Sequence, residues 1–194
     1  MREAEIHRTT AETAITVSLG LDTFESPQIV TNLPLFTHFL TAFAFHGRFR
    51  VAIDAEGDVS VDPHHLVEDV GIVLGQALRE ALGDRRDIAR FGQRCLPMDE
   101  ALVLCALDLS GRGQCYWAPG FPDRAINGVS SEVWPEFFHA FSRLSGTTLH
   151  LRCIAGDNAH HVYEACFKAL GRALAEAVAP LDQRGISSTK GVLV

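Results

Sequence analysis

Polar and apolar residues alternate over 13–21 (Thr-Ala-Ile-Thr-Val-Ser-Leu-Gly-Leu), and the β-branched content makes this stretch a strand. From Pro34 the period changes. Leu35, Phe36, Phe39, Leu40 and Phe43 recur at helical spacing, and Gly47 ends the segment. Residues 22–32, with Ser26-Pro27 and Thr31-Asn32, read as a loop between the two. Residues 48–55 and 58–61 read as a hairpin turning at Glu56-Gly57, and 64–82 as a helix closed by Gly83. The second half runs through the same order. Strands are expected at 101–109 and 114–117 around the turn Ser110-Gly111-Arg112-Gly113. A helix follows at 134–144, with Pro135 in its first turn and Gly146 after it, then a strand at 147–154 and a helix at 160–178. The tail from Pro180 to Val194 is polar and is expected to stay flexible until something binds it.

The repetition extends from element order to residues. His64-His65-Leu66-Val67-Glu68 matches His160-His161-Val162-Tyr163-Glu164 at an offset of 96, and Gly75, Leu78 and Glu80 match Gly171, Leu174 and Glu176 at the same offset. Gly47, Gly57 and Asp58 match Gly146, Gly156 and Asp157 at an offset of 99. Two amphipathic helices share Leu and Ala positions by chance, but not two HHxxE sets. The chain therefore reads as α/β (α+β), with two duplicated βαβ-type halves, about 1–90 and 91–180, packed as one unit.

Composition narrows the function classes. A chain of 194 residues with 47% hydrophobic and 21% charged residues has enough apolar surface for a core without staples. The net charge of −7 excludes general binding to a nucleic-acid backbone, so an anionic ligand needs a local basic cluster. No apolar run reaches spanning length, so no membrane partner is expected. Cysteines 95, 105, 115, 153 and 166 are odd in number and form no CxxC, which reads as buried, reduced thiols. The segment Met1-Arg2-Glu3-Ala4-Glu5-Ile6 has no apolar core, so a cytoplasmic protein is expected.

Candidate chemistry lies in the nine histidines, four of which form the two pairs. Residues three and four apart share a helix face, so Glu68 neighbours His64 and His65, and Glu164 neighbours His160 and His161. Imidazole and carboxylate together suit a divalent transition metal: manganese in octahedral N/O coordination, with zinc or iron possible. Adjacent helical residues diverge by roughly 100°. One pair therefore cannot aim at one ion, and two sites, each taking a histidine from each pair, are expected. His38 and Glu136, in equivalent helices, are candidate further ligands; His7, His46, His139 and His150 have weaker claims. Arg90, Arg112, Lys168 and the tail Ser187-Ser188-Thr189-Lys190-Gly191 combine cations with hydroxyls, as a phosphate site does.

Several stretches then carry a resemblance. They are Arg8–Thr13, Asp62–Asp69 (Asp-Pro-His-His-Leu-Val-Glu-Asp), Pro97–Ala101, Leu107–Arg112, Asp157–Ala169 and Ser187–Leu193. In this order the chain resembles the imidazoleglycerol-phosphate dehydratases. The resemblance implies an α/β sandwich of the ribosomal-protein-S5-domain-2-like kind, and dehydration of imidazole glycerol phosphate to imidazole acetol phosphate in L-histidine biosynthesis. It further implies two Mn2+ per active site and a 24-subunit shell with sites between subunits. Carried across, the metal ligands are His38, His64, His65, Glu68, His160, His161 and Glu164. Glu12, Asp99 and Glu164 are the catalytic carboxylates. Arg90, Arg112, Lys168, Ser188 and Lys190 hold the phosphate, and the tail 181–194 closes over it. Departures from the pattern are Phe36-Thr37-His38-Phe39-Leu40 in place of Leu-Asp-His-Met-Leu, Pro63 and Leu66 around the first pair, and Thr31-Asn32 in place of Thr-Gly.

The hydrogen to be lost from the glycerol carbon is not acidic, since no carbonyl activates it. Metals acting as Lewis acids and templates, with Glu12 and Asp99 moving protons, meet that difficulty. Two other classes compete. A diverged, metal-binding storage assembly has no use for Arg90, Arg112 and Lys190. A ferritin-like di-metal oxidase wants four long helices, which the alternating strands here do not supply.

Overall fold

A computed structural model describes residues 1–118, 120–181 and 185–193. The first half contains β1 (Glu3–Thr9), β2 (Thr13–Gly20), β3 (Gln28–Thr31), α1 (Pro34–Gly47), β4 (Arg50–Gly57) and α2 (Pro63–Leu82). The second contains β5 (Phe91–Met98), β6 (Ala101–Asp108), β7 (Gln114–Trp117), α3 (Val133–Ser145), β8 (Thr148–Ala155) and α4 (Ala159–Ala177). The sheets have the same topology, β1-β2-β4-β3 and β5-β6-β8-β7. In each, the first three strands are antiparallel, and the short edge strand lies parallel to its neighbour through a βαβ crossover.

Alternation sets which face is buried. Ile15, Val17 and Leu19 of β2, and Val103, Cys105 and Leu107 of β6, point inward. Onto these faces α2 packs against β1, β2 and β4, and α4 against β5 and β6. Between the sheets, α2 runs along α3 and α1 along α4, so the main helix contacts cross from one half to the other. One core results. At its centre Phe36, Phe39, Trp134, Phe137 and Phe167 are fully buried, with Phe39 stacked on Phe167 at 5.3 Å. Each such side chain contributes about 1.5–3 kcal/mol by leaving water. The repeated Gly75 and Gly171 serve these crossings. A Cβ on Gly75 would lie 2.7 Å from the Phe141 carbonyl oxygen, and one on Gly171 would collide with that of Phe43.

Three local expectations are corrected. The 48–61 hairpin does not form: residues 50–57 are a single strand held between β2 and β3, and residues 58–62 lead directly into α2. The loop at 22–32 contains β3, and Cys95 is exposed rather than buried. In the tail, residues 182–184 and 194 lie outside the described residues. Residues 185–187 are fastened to the stretch before β5: Gly185 N–H donates to Asp87 Oδ1 (2.6 Å) and Ser187 Oγ to the Ile88 carbonyl (2.9 Å).

Candidate metal centre and basic pocket

Capping places the histidine pairs. Asp62 precedes Pro63 at the start of α2 and accepts from the His64 backbone N–H at 2.9 Å. Asn158, at the equivalent position of α4, accepts from the His160 N–H at 2.9 Å. An Asp or Asn cap satisfies helix-end donors, and here it sets both pairs in the first turn. Within each pair the rings stand nearly perpendicular, at 79° for His64 and His65 and 83° for His160 and His161. They diverge as the helical geometry requires.

The first convergence joins the two halves. Because α1 lies along α4, His38 stacks on His160 with ring centroids 5.4 Å apart. Its Nε2 is 3.0 Å from Glu164 Oε2, and His160 Nε2 is 3.1 Å from the same oxygen. Lys168, one turn further along α4, donates to Glu164 Oε1 at 2.7 Å. Burial alone would raise the Glu164 pKa, but the Lys168 hydrogen bond and then His38 outweigh it and hold it at about 2. Donor atoms of His38, His160 and Glu164 all lie within 4.8 Å of one another, a candidate metal-binding group of two imidazoles and one ionised carboxylate. This donor set fits a borderline or hard divalent ion.

The second histidine of each pair meets carboxylates. His65 Nδ1 is 2.9 Å from Asp58 Oδ1, with its Nε2 4.0 Å from Glu12. His161 Nδ1 is 2.7 Å from Glu100 Oε2, with its Nε2 3.7 Å from Asp99. Asp58 raises the pKa of His65, and Glu100 that of His161. In return the His161 hydrogen bond, with a backbone N–H from Asn158, holds Glu100 at about 2. The first hairpin turn of each sheet thus brings its acid–base candidate, Glu12 or Asp99, to the second histidine of its own half. Asp99 takes φ 49 in that turn. His64 lies 3.5 Å from Glu68, which also pairs with Arg143 at 3.3 Å.

Among the described residues the α2 and α4 pairs do not converge on one another, so sites drawing one histidine from each pair are not completed within a single chain. His38, expected only as a further ligand, lies in the first half and converges with His160 and Glu164 of the second. Glu136 sits in the first turn of α3 and joins no converging donor group among the described residues.

At the far end of α4 lies a basic pocket of about 600 Å³, where Arg90, Arg112, Ser188 and Lys190 meet. Arg90, at φ 73, grips Asp108 through Nε (2.7 Å) and Nη2 (3.0 Å) and donates Nη1 to the Ser187 carbonyl (2.6 Å). The tail hydroxyls and two arginines therefore line one pocket. Lys168 does not join them in this chain, because its ammonium lies against Glu164.

Residues 31–174 match the family profile of imidazoleglycerol-phosphate dehydratase. The imidazoleglycerol-phosphate dehydratase of Lacticaseibacillus casei is 48% identical over 194 residues, covering 100% of both chains. That of Moorella thermoacetica is 50% identical, covering 99% of this chain and 98% of its own. The chain belongs to the imidazoleglycerol-phosphate dehydratase family. The fold agrees. A Pyrococcus furiosus member solved with (S)-C348 superposes with TM-score 0.85 at 40% identity, covering 97% of this chain and 100% of its own. The Staphylococcus aureus enzyme superposes with TM-score 0.82 at 34% identity, covering 92% and 99%. In this member of the dehydratase family, sequence reasoning overlooked Asp58 and Glu100. Asp58 carried one signal, its match to Asp157 in the repeat, and Glu100 carried none beyond its place beside Asp99.

Proposed function

We propose that the chain dehydrates imidazole glycerol phosphate to imidazole acetol phosphate in L-histidine biosynthesis, as a manganese-dependent hydro-lyase acting in the cytoplasm. The convergence of His38 Nε2, His160 Nε2 and Glu164 Oε2, in a chain of this family, carries the reading. With His64, His65, Glu68 and His161, these residues hold two Mn2+ per active site. A bound ion supplies Lewis-acid polarisation and a template for the imidazole. Glu12 and Asp99 stand beside the ligating histidines and move protons. One removes the ring N–H proton, and the ring electrons expel the hydroxyl on the attached carbon, which takes a proton from the other and leaves as water. The other then accepts the neighbouring C–H proton, and the first returns its own to the ring. Loss of the neighbouring C–H proton leaves an enol, which tautomerises to the ketone as the ring regains its proton.

Distance supports a site shared between subunits. His160 opens α4, while Arg90 donates its backbone N–H to Ala177 at the other end. Seventeen helical residues span roughly 26 Å, far longer than a phosphorylated three-carbon imidazole. Arg90, Arg112, Ser188 and Lys190 of one copy therefore bind the phosphate of a substrate whose ring lies on the histidines of another, within a 24-subunit shell. Lys168, on the histidine side, reaches the same phosphate from there, and the tail 181–194 closes over it. The test is turnover of imidazole glycerol phosphate by metal-stripped protein, with and without added Mn2+. Restoration of activity by Mn2+ is expected, and no dehydration under either condition overturns the proposal.

A further inference from the structure

His65 and His161 each present two ring nitrogens in unlike surroundings. On the Nδ1 side a carboxylate lies at hydrogen-bond distance: Asp58 at 2.9 Å and Glu100 at 2.7 Å. On the Nε2 side the nearest carboxylates, Glu12 at 4.0 Å and Asp99 at 3.7 Å, are beyond hydrogen-bond reach. An ionised carboxylate only accepts, so Nδ1 must carry the hydrogen. In the neutral ring the lone pair then sits on Nε2, facing the open side.

We infer that Asp58 and Glu100 are positioning residues, which fix the tautomer and aim of His65 and His161 so that each offers Nε2 to an ion beside Glu12 or Asp99. This rests on the metal-binding reading of the two pairs. The grips come from different elements. Asp58 lies in the turn between β4 and α2. Glu100 lies in the β5–β6 turn and accepts a second hydrogen bond, at 2.9 Å, from the N–H of Asn158, the residue that caps α4. Glu100 is thereby tied to the helix end it serves. A carboxylate behind a ligating imidazole raises its basicity as well as orienting it, and its loss costs roughly ten- to a hundred-fold in metal affinity.

The test is calorimetric titration of the metal-stripped full chain with Mn2+, alongside Asp58→Ala, Glu100→Ala, Asp58→Asn and Glu100→Gln, with a thermal melt of each. The alanine variants are expected to bind Mn2+ roughly ten- to a hundred-fold more weakly with little change in melting temperature. The amides retain an acceptor but lose the charge, and are expected to lose only a few-fold. Equal affinity in wild type and the alanine variants overturns the inference. So does a loss that tracks melting temperature equally in all four variants, which marks general loosening. If an alanine variant fails to fold, its amide decides, and unchanged affinity there overturns the assignment. Wild-type protein that takes up no Mn2+ overturns the metal reading itself, a result separable from the others.

Discussion

Lys168 and Glu164 sit one turn apart on α4 and are joined at 2.7 Å, with Glu164 offering its other oxygen to His38 and His160. The lysine thus occupies one side of the carboxylate and leaves the other for the imidazoles. Its ammonium is also the principal reason the acid ionises despite burial.

Replacing Lys168 with Met should expose that dependence in the metal-free protein. Glu164 falls from an ordinary 4.5 to about 2 on folding. Its contribution to stability is therefore complete above about pH 4.5 and is lost as the pH drops through about 2. Thermal melts should show K168M below wild type at pH 6 and the difference shrinking toward pH 2. A constant difference across that range would contradict the assignment.

His38→Ala and His160→Ala remove donors from different halves but from the same cluster. Each should lower bound metal, read by elemental analysis, and reduce turnover by at least about a hundred-fold, the scale of lost metal–ligand chemistry. His64→Ala should do the same through the α2 pair. Full metal content in H160A would show that the convergence is structural.

Lys190→Ala tests the basic pocket. A charge-assisted hydrogen bond contributes about 1.5–3 kcal/mol, so substrate binding should weaken by roughly ten- to a hundred-fold with metal content unchanged. Unphosphorylated imidazole glycerol should be much less affected. Equal weakening of both compounds would place Lys190 away from the phosphate.

Gly171→Ala drives a methyl group toward the Phe43 carbonyl, where α1 crosses α4. Overpacking of this kind costs about 1–3 kcal/mol, measurable by urea unfolding. Since the same crossing brings His38 to Glu164, G171A should also weaken Mn2+ binding. Destabilisation with unaltered affinity would uncouple the crossing from the cluster.

Chelation addresses assembly. If ions bridge copies, stripping them should break a large oligomer into smaller units, and Mn2+ should restore it, as followed by light scattering. An unchanged particle size after complete removal would sever metal from assembly.

Strong amphipathic signals made all four helices and the strands β2, β6, β7 and β8 legible in the sequence. The strands β1, β3 and β5 escaped; each exposes every second residue and, Gly92 of β5 apart, only partly buries those between, as in Glu3–Thr9. Nothing local told β4 to run on to Gly57, since its pairing with β2 and β3 is set by residues more than twenty positions away. The histidine pairs were readable because helical geometry relates them to Glu68 and Glu164 at fixed spacing. His38 was readable as a ligand but not as a partner of Glu164, because that contact depends on which helix α1 lies against. Asp58 and Glu100 act from turns, where spacing carries no directional information.

The crosswise packing of α1 on α4 and α2 on α3 bears on origin. A chain of half this length would leave two helix faces bare, an apolar surface that demands a partner. A second copy, turned about a two-fold axis, presents the same faces in return, which is the arrangement of an isologous dimer. Fusing the two copies makes that pairing independent of concentration and releases them from identity. The drift since is written in the site. One copy grips its histidine with an aspartate after the last strand, the other with a glutamate from the first hairpin, and the basic pocket grew on the second copy's sheet.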